Sequence, residues 1–203
     1  DNCTEGTLKG LEAAGFKDGE NGVTIDVKNA QGQMETSDMI AKNMVASKYD
    51  LIIGVATPSA MSAYSSAKDS DIPTVFCAVS DPVAAGLAKT LEAPGTGATG
   101  TADTLNLDGQ LKMIRAMLPD AKTVGVLYTT SEPNSLSALE TFKELAPKYD
   151  LAVEAVGITN ESEVASGAAA LVAKKVDCVN NFTDNNVVNN LSTLLHATDA
   201  AGI

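Results

Sequence analysis

"LIIGVATPSAMSAYSSA", residues 51–67, decides how the chain reads. An apolar run from Leu51 to Ala56 ends in Thr57-Pro58-Ser59, and a stretch of small helix-compatible residues follows. A short apolar run bounded by turn residues is the pattern of a strand covered on both faces, as in a parallel sheet. Pro58 suits a first helical turn, where a missing N–H costs no hydrogen bond. The segment therefore predicts a strand that feeds directly into a helix. The same join recurs at "VGVLYTTSEPNSLSALETF" (124–142) and at "DCVNNFTDNNVVNNLSTLL" (177–195).

Outward from these joins the chain alternates helix-period and short apolar segments. "NCTEGTLKGLEAAGF" (2–16) predicts a helix with Leu8, Leu11 and Phe16 on one face. "VTIDVKNA" (23–30) predicts a strand, and "SDMIAKNMVASK" (37–48) a helix capped by Ser37. Strands at 50–56 and 73–79 bracket a helix at 59–69. In the second half, helices are expected at 107–119, 135–149, 161–175 and 186–202, with strands at 123–129, 151–158 and 177–183. Pro119 stops the first of these helices. Alternating strands and helices imply parallel sheets with helices on both faces. The strands fall into two sets, so the fold class is α/β with two lobes. The boundaries expected are 1–84 for the first lobe, 85–102 for a crossover or hinge segment, and 103–203 for the second lobe. "LAKTLEAPGTGATGTADTL" (87–105), between the sets, shows no strong pattern of either kind. A chain that opens and closes on helices departs from the usual α/β start, and suggests that a first strand and a segment beyond Ile203 are missing.

The bulk numbers exclude several classes. With 203 residues, 44% hydrophobic and 20% charged, the chain is an ordinary globular sequence. No apolar run approaches the roughly 18 residues of a membrane span. A net charge of −12 argues against a nucleic-acid partner, which needs a Lys/Arg face. Cys3, Cys77 and Cys178 form no metal or redox spacing and read as buried free thiols, and the lone His196 reads as structural. No catalytic motif, cofactor motif or metal site is present. "GTGATG" (95–100) matches the dinucleotide fingerprint by letter, but no buried strand leads into it and no helix opens from it. Its glycines are expected to let a connecting segment bend.

Ligands of open parallel sheets bind outside the carboxyl ends of the strands. In the first lobe these ends carry Thr57, Ser59, Ser80 and Asp81. In the second they carry Ser131, Asn134, Ser135 and Asp184. Ser59 falls in a first helical turn, where unpaired N–H groups and the helix dipole favour a carboxylate. Thr57 and Ser80 add hydroxyl donors, and Asp184 offers a negative charge from the other lobe. A carboxylate grip and an ammonium grip together describe an α-amino acid. Each of these residue types is also an ordinary helix cap. Repetition at four strand ends favours a site. Asn180 and Asn181, inside an expected strand, either face solvent or line a cleft.

The segments 50–63, 73–87, 99–135 and 181–188 together resemble the substrate-binding proteins of ABC transporters, in the family with tryptophan- and phenylalanine-binding members. "TGTADTLNLDGQLKMIRAMLPDAKTVGVLYTTSEPNS" (99–135) is the most specific part. The resemblance implies a type I periplasmic-binding fold of two Rossmann-like lobes and a hinge that closes on ligand. It implies a partner permease, and a location outside the cytoplasm, in the periplasm or lipid-anchored at the outer face of the membrane. It implies that the eight residues named above face the cleft, with Asp103 a weaker candidate. It implies an amino acid ligand, aromatic in the known members (Trp, Phe or Tyr). Tyr128 and Phe182 are the aromatic residues nearest the expected cleft, and either could instead be core. Two other readings of the same lobes stand beside it: the ligand-sensing core of a transcriptional regulator, and a Rossmann-like enzyme.

Overall fold

The computed structural model describes residues 2–203, which divide into two compact units at Asp103 and Thr104. The first contains α1 (Asn2–Ala13), α2 (Met34–Ala46), β1 (Ile52–Val55), α3 (Thr57–Ala67), β2 (Thr74–Val79) and β3 (Ala98–Ala102). Its three strands are parallel in the order β1-β2-β3, with Ile52 opposite Thr74 and Thr74 opposite Ala98. The quoted stretch folds as it reads, since β1 passes through one residue, Ala56, into α3.

The join works because position 54 is glycine. A Cβ on Gly54 would lie 2.4 Å from the Cα of Ala60, so α3 can lie on β1 only without that atom. The close approach buries Ala60, Ala63 and Ala67 against Phe76, Val79 and Ile52. Helix α2 is pinned to α3 by the Ser62 hydroxyl, which donates to Asp38 Oδ1 at 2.6 Å.

The second unit contains α4 (Leu107–Met117), β4 (Thr123–Thr129), α5 (Pro133–Leu145), β5 (Ala152–Ile158), α6 (Val164–Ala173), β6 (Cys178–Asn180), α7 (Asn185–Asn189) and α8 (Leu191–Ala201). Its parallel order is β5-β4-β6. Alternation along the central strand fills two cores. Val124 and Val126 face Leu111, Leu139 and Phe142, while Leu127 packs with Val164, Ala168, Leu171 and Leu194. Phe182 meets Phe142 edge to face at 5.4 Å, so it is core. The amino ends of the strands are tied by two charged groups. The Arg115 guanidinium donates to the carbonyl oxygens of Leu118, Pro119, Ala121, Tyr149 and Asp150 at 2.6–3.2 Å. It thereby satisfies the end of α4, which stops before Pro119 as expected. Asp177 Oδ2 accepts from the Lys122 and Thr123 amides and from the Thr123 hydroxyl, and these donors hold its carboxyl below the usual carboxylate range.

Several expectations need correction. Residues 23–30 form no strand, because no neighbouring strand pairs with them among the described residues. Turn and side-chain bonds hold the region instead: the Ile25 amide donates to Asp18 and the Tyr49 hydroxyl to Asp26. Ser37 does not cap α2, which begins at Met34. The patternless segment 87–105 contains β3, an edge strand whose residues after Ala98 are all exposed, so it carries no apolar signal. "GTGATG" falls on a turn, with Gly95 and Gly97 at positive φ, and on that strand, with Gly100 against Phe76. The last helix breaks at Asn190 into α7 and α8. Phe16 is exposed rather than packed. Cys3 is exposed as well, and Cys77 and Cys178 are half-buried.

The substitution Gly54→Ala tests the close approach. It should lower the stability of the first unit by about 3 kcal/mol, the cost of overpacking against backbone that cannot yield. Urea denaturation should show a lower midpoint with an unchanged slope.

Candidate functional site

In the first unit β1 and β2 both end in unusual backbone. Ala56 has φ 66° and ψ 162°, a region that glycine occupies and side chains avoid. Ala78 has φ 55°, at a shift of register between Phe76 and Val79. The two ends are joined by the Ala56 amide, which donates to the Cys77 carbonyl at 2.9 Å. Strain of this kind costs about 1–3 kcal/mol per residue and concentrates where a chain must present groups in one geometry. Here it turns the chain so that Thr57 opens α3 and Ser59 stands in its first turn. Helix starts have N–H groups without partners inside the helix, and Pro58 contributes none. Thr57 is buried; Ser59, Ser80 and Asp81 are half-buried. Asp81 Oδ1 accepts from the Ala84 amide at 2.9 Å and so caps the turn that follows β2. Asp103, at the end of β3, is exposed, and its amide donates to the Val79 carbonyl.

In the second unit the structure brings Asn134, Ser135 and Asp184 together and leaves Ser131 exposed. Asp184 has no exposed surface. Its Oδ2 accepts from the Thr129 amide at 2.6 Å and the Ser135 hydroxyl at 2.7 Å. Its Oδ1 accepts from the Thr129 hydroxyl at 2.8 Å and the Val187 amide at 3.1 Å, the last as the cap of α7. The carboxylate is thus spent on four donors of its own chain. Buried and bonded to all four, Asp184 positions the starts of α5 and α7. Ser135 likewise has its hydroxyl on Asp184.

Sequence reasoning missed Glu132. It is buried at the residue before α5, and its carboxylate accepts from the Asn185 amide at 3.2 Å and from Asn185 Nδ2 at 2.8 Å. The two acids therefore exchange partners. Asp184 caps α7 and holds Ser135 of α5, while Glu132 precedes α5 and holds Asn185 of α7. A glutamate directly before a helix-opening proline was the available signal, since glutamate caps its own helix poorly and must find donors elsewhere. Burial, then the nearby charge of Asp184, raises the Glu132 carboxyl above its ordinary value. Asn134 donates Nδ2 to Glu132 Oε2 at 3.2 Å and to the Thr183 carbonyl at 3.0 Å, and its Oδ1 is buried without a donor. Asn180 donates to Gln110, and Asn181 lies beyond the end of β6 with its own Oδ1 buried and unpartnered. Two shallow surface depressions lie elsewhere, one beside Pro73-Thr74 and one beside Pro119-Ala121, at the amino ends of strands. They do not coincide with these polar groups.

Two substitutions probe the pair. Asp184→Asn places an amide N–H₂ against existing donors, and should cost about 3 kcal/mol in urea denaturation of the ligand-free protein. Glu132 has the opposite sign. Its native pKa is raised, so the folded state holds the proton more tightly than the unfolded state. Stability contributed by that proton is absent at neutral pH and appears as pH falls through the raised value towards the ordinary 4.5. Glu132→Gln should therefore be more stable than the parent at pH 7, with the difference shrinking as pH falls towards 4.5. A constant difference across that range would show that Glu132 is not the titrating group.

Known proteins resemble the chain over nearly its whole length. The family described as ABC transporter substrate binding protein matches residues 1–203. The chain is 42% identical over 191 residues to a tyrosine-binding protein of Clostridioides difficile, covering 94% of this chain and 54% of that protein. It therefore spans about half the length of that curated relative. Among solved structures, an ABC domain from Streptococcus pneumoniae in complex with L-Trp matches with a TM-score of 0.91 and 34% identity, over 97% of this chain and 65% of that one. A conserved domain protein from Vibrio cholerae matches with a TM-score of 0.92, also at 34% identity, with the same 97% and 65% coverage. The parallel α/β units are thus those of type I periplasmic binding proteins, and the chain belongs to the ABC transporter substrate-binding protein family.

Proposed function

We propose that this chain belongs to an extracytoplasmic solute-binding protein that takes a small α-amino acid, aromatic in its side chain, and delivers it to an ABC permease. The observation that carries the reading is the contrast between the strand ends of the two units. The first unit presents hydroxyls and a helix start, at Thr57, Ser59 and Ser80, which suit a carboxylate. The second holds two buried carboxylates, Glu132 and Asp184, beside Asn134 and Ser135, and their negative charge suits an ammonium. Asn134 and Ser131 are the contacts proposed there, with Ser135 and Asp184 holding the frame. Asp81 acts through the turn it caps. Residues 85–102 are proposed as part of the crossover between units, although β3 shows that their last five residues belong to the first sheet.

The tyrosine- and tryptophan-binding relatives support an aromatic side chain. Tyr128, half-buried near the end of β4, packs against the core of its own unit and over Gly157. The cycle needs no covalent step. Charge-assisted hydrogen bonds at both ends contribute about 1.5–3 kcal/mol each, enough for micromolar binding after the entropic costs. Location outside the cytoplasm follows from the family's role. Among the described residues no helix is long and apolar enough to cross a membrane.

A thermal-shift panel of L-Trp, L-Phe, L-Tyr, L-Leu, L-Glu and ribose tests the reading. A ligand at about a hundred times its Kd stabilises the native state by ~2.7 kcal/mol, which raises the melting temperature by several degrees. At least one aromatic amino acid should do so, and ribose should not. A shift with ribose alone, or with no aromatic amino acid, overturns the proposed ligand class.

A further inference from the structure

We propose that Asn21 is a site of spontaneous chemical modification. Its side-chain amide is lost by cyclisation onto the backbone nitrogen of Gly22, and the turn ages to aspartate and isoaspartate. The inference concerns the first unit alone and does not depend on the ligand.

The chemistry makes three demands. The backbone nitrogen after the asparagine must be unbonded, nothing may crowd its approach to Cγ, and the main chain must be able to turn. Asn21-Gly22, the one Asn-Gly pair in the sequence, meets all three. Both residues are exposed, and among the described residues neither the Gly22 amide nor the Asn21 side chain has a hydrogen-bond partner. A Cβ at Gly22 would meet nothing within 4 Å, so the nitrogen is open to approach. The pair forms a tight turn with φ of 52° and 77°, closed by the Val23 amide, which donates to the Glu20 carbonyl at 2.9 Å. The Gly19 amide backs it with a bond to the Val23 carbonyl, also at 2.9 Å. Residues 12–22 are exposed throughout, so opening the turn uncovers no buried side chain and costs little.

Other positions supply the contrast. In Asp18-Gly19 and Asp108-Gly109 the glycine amide is engaged, by the Val23 carbonyl and by Asn106 Oδ1 respectively. Asn134 and Asn186 are buried. Gln31-Gly32 repeats the turn on the other side of 23–30: both residues are exposed, φ is 52° and 72°, and the Gln33 amide donates to the Ala30 carbonyl at 3.0 Å. Its side chain is one methylene longer, so cyclisation there would close a six-membered ring instead of a five-membered one, and is slower. In the step itself the Gly22 nitrogen gives up its proton and bonds to Cγ of Asn21, while the Cγ–Nδ2 bond breaks and that nitrogen leaves as ammonia. Water, the only other reactant, then opens the cyclic imide. Attack at Cγ gives aspartate. Attack at the main-chain carbonyl carbon gives isoaspartate, with the chain running through Cβ and Cγ. Either product adds a negative charge to a chain that already carries −12. Isoaspartate also lengthens the main chain inside the turn, and so breaks the bond between Val23 and Glu20 that closes it.

The experiment is prolonged incubation of the folded full chain in mildly alkaline buffer, well below its melting temperature. Charge is followed by isoelectric focusing, and the modified position is read by peptide mass spectrometry after cleavage at Lys17 and Lys28. The parent should gain one negative charge per molecule, located at Asn21, with isoaspartate among the products. Asn21→Gln should gain none over the same period. Gln31→Asn should gain a second charge, at residue 31, because it places the shorter side chain on the matching turn. Survival of Asn21 in the parent overturns the proposal, and so does a charge gain that persists in Asn21→Gln. A parent that reacts only when denatured in urea overturns the claim that the folded turn allows the step. A Gln31→Asn variant modified at Asn21 alone overturns the part given to the turn's backbone.

Discussion

A carboxylate without exposed surface holds the polar end of the second unit together. Asp184 joins the end of β4, the first turn of α5 and the first turn of α7 through four hydrogen bonds. Each of those elements ends or begins with backbone groups that secondary structure leaves unpaired. One ionised side chain satisfies several of them at once, and in doing so fixes where the helices start. Glu132 completes the brace from the other helix. Burying two acids near one another is expensive, and the raised carboxyl of Glu132 records that cost. The arrangement persists because every oxygen of Asp184 is bonded and because the neighbouring asparagines are held in one orientation by Glu132.

The first unit reaches a similar end by other means. Among the described residues no buried acid pair braces its strand ends. Its geometry comes from close backbone approach at Gly54 and Ala60, and from two alanines held at positive φ. Small side chains carry this solution: α3 buries Ala60, Ser62, Ala63 and Ala67 rather than large residues. The unit therefore stores conformational strain where its partner unit stores electrostatic cost, and in both the cost sits beside the residues proposed to meet the ligand. Sites commonly depart from local optimum in this way.

The sheets were legible in the sequence because buried parallel strands write themselves as apolar runs. β1, β2 and β4 are such runs, and the strand-to-helix joins after β1 and β4 carry proline as a marker. Strand β3 was invisible because an exposed edge strand of Ala, Thr and Gly has no hydrophobic signature. Residues 23–30 failed in the opposite sense: their alternation suits a strand, but alternation cannot supply a neighbour to pair with. The candidate site was legible as a set of polar strand ends and illegible in its roles. Sequence shows that Asp184 is an acid at a strand end; only the fold shows that Thr129, Ser135 and Val187 have already taken its oxygens. Glu132 was passed over because its partner, Asn185, lies 53 residues away.

The position of β4 has a consequence for how the second unit opens. Among the described residues it is the central strand of its sheet, paired with β5 along 123–129 and with β6 along 124–126, and its last amide is bonded to the buried Asp184. Exchange of the 124–126 amide protons with water requires a flanking strand to leave, and exchange at Thr129 requires the brace to open. The slowest-exchanging protons of this unit thus run through 123–129 to the polar end itself, and the candidate site is built on the last part of the unit to come apart.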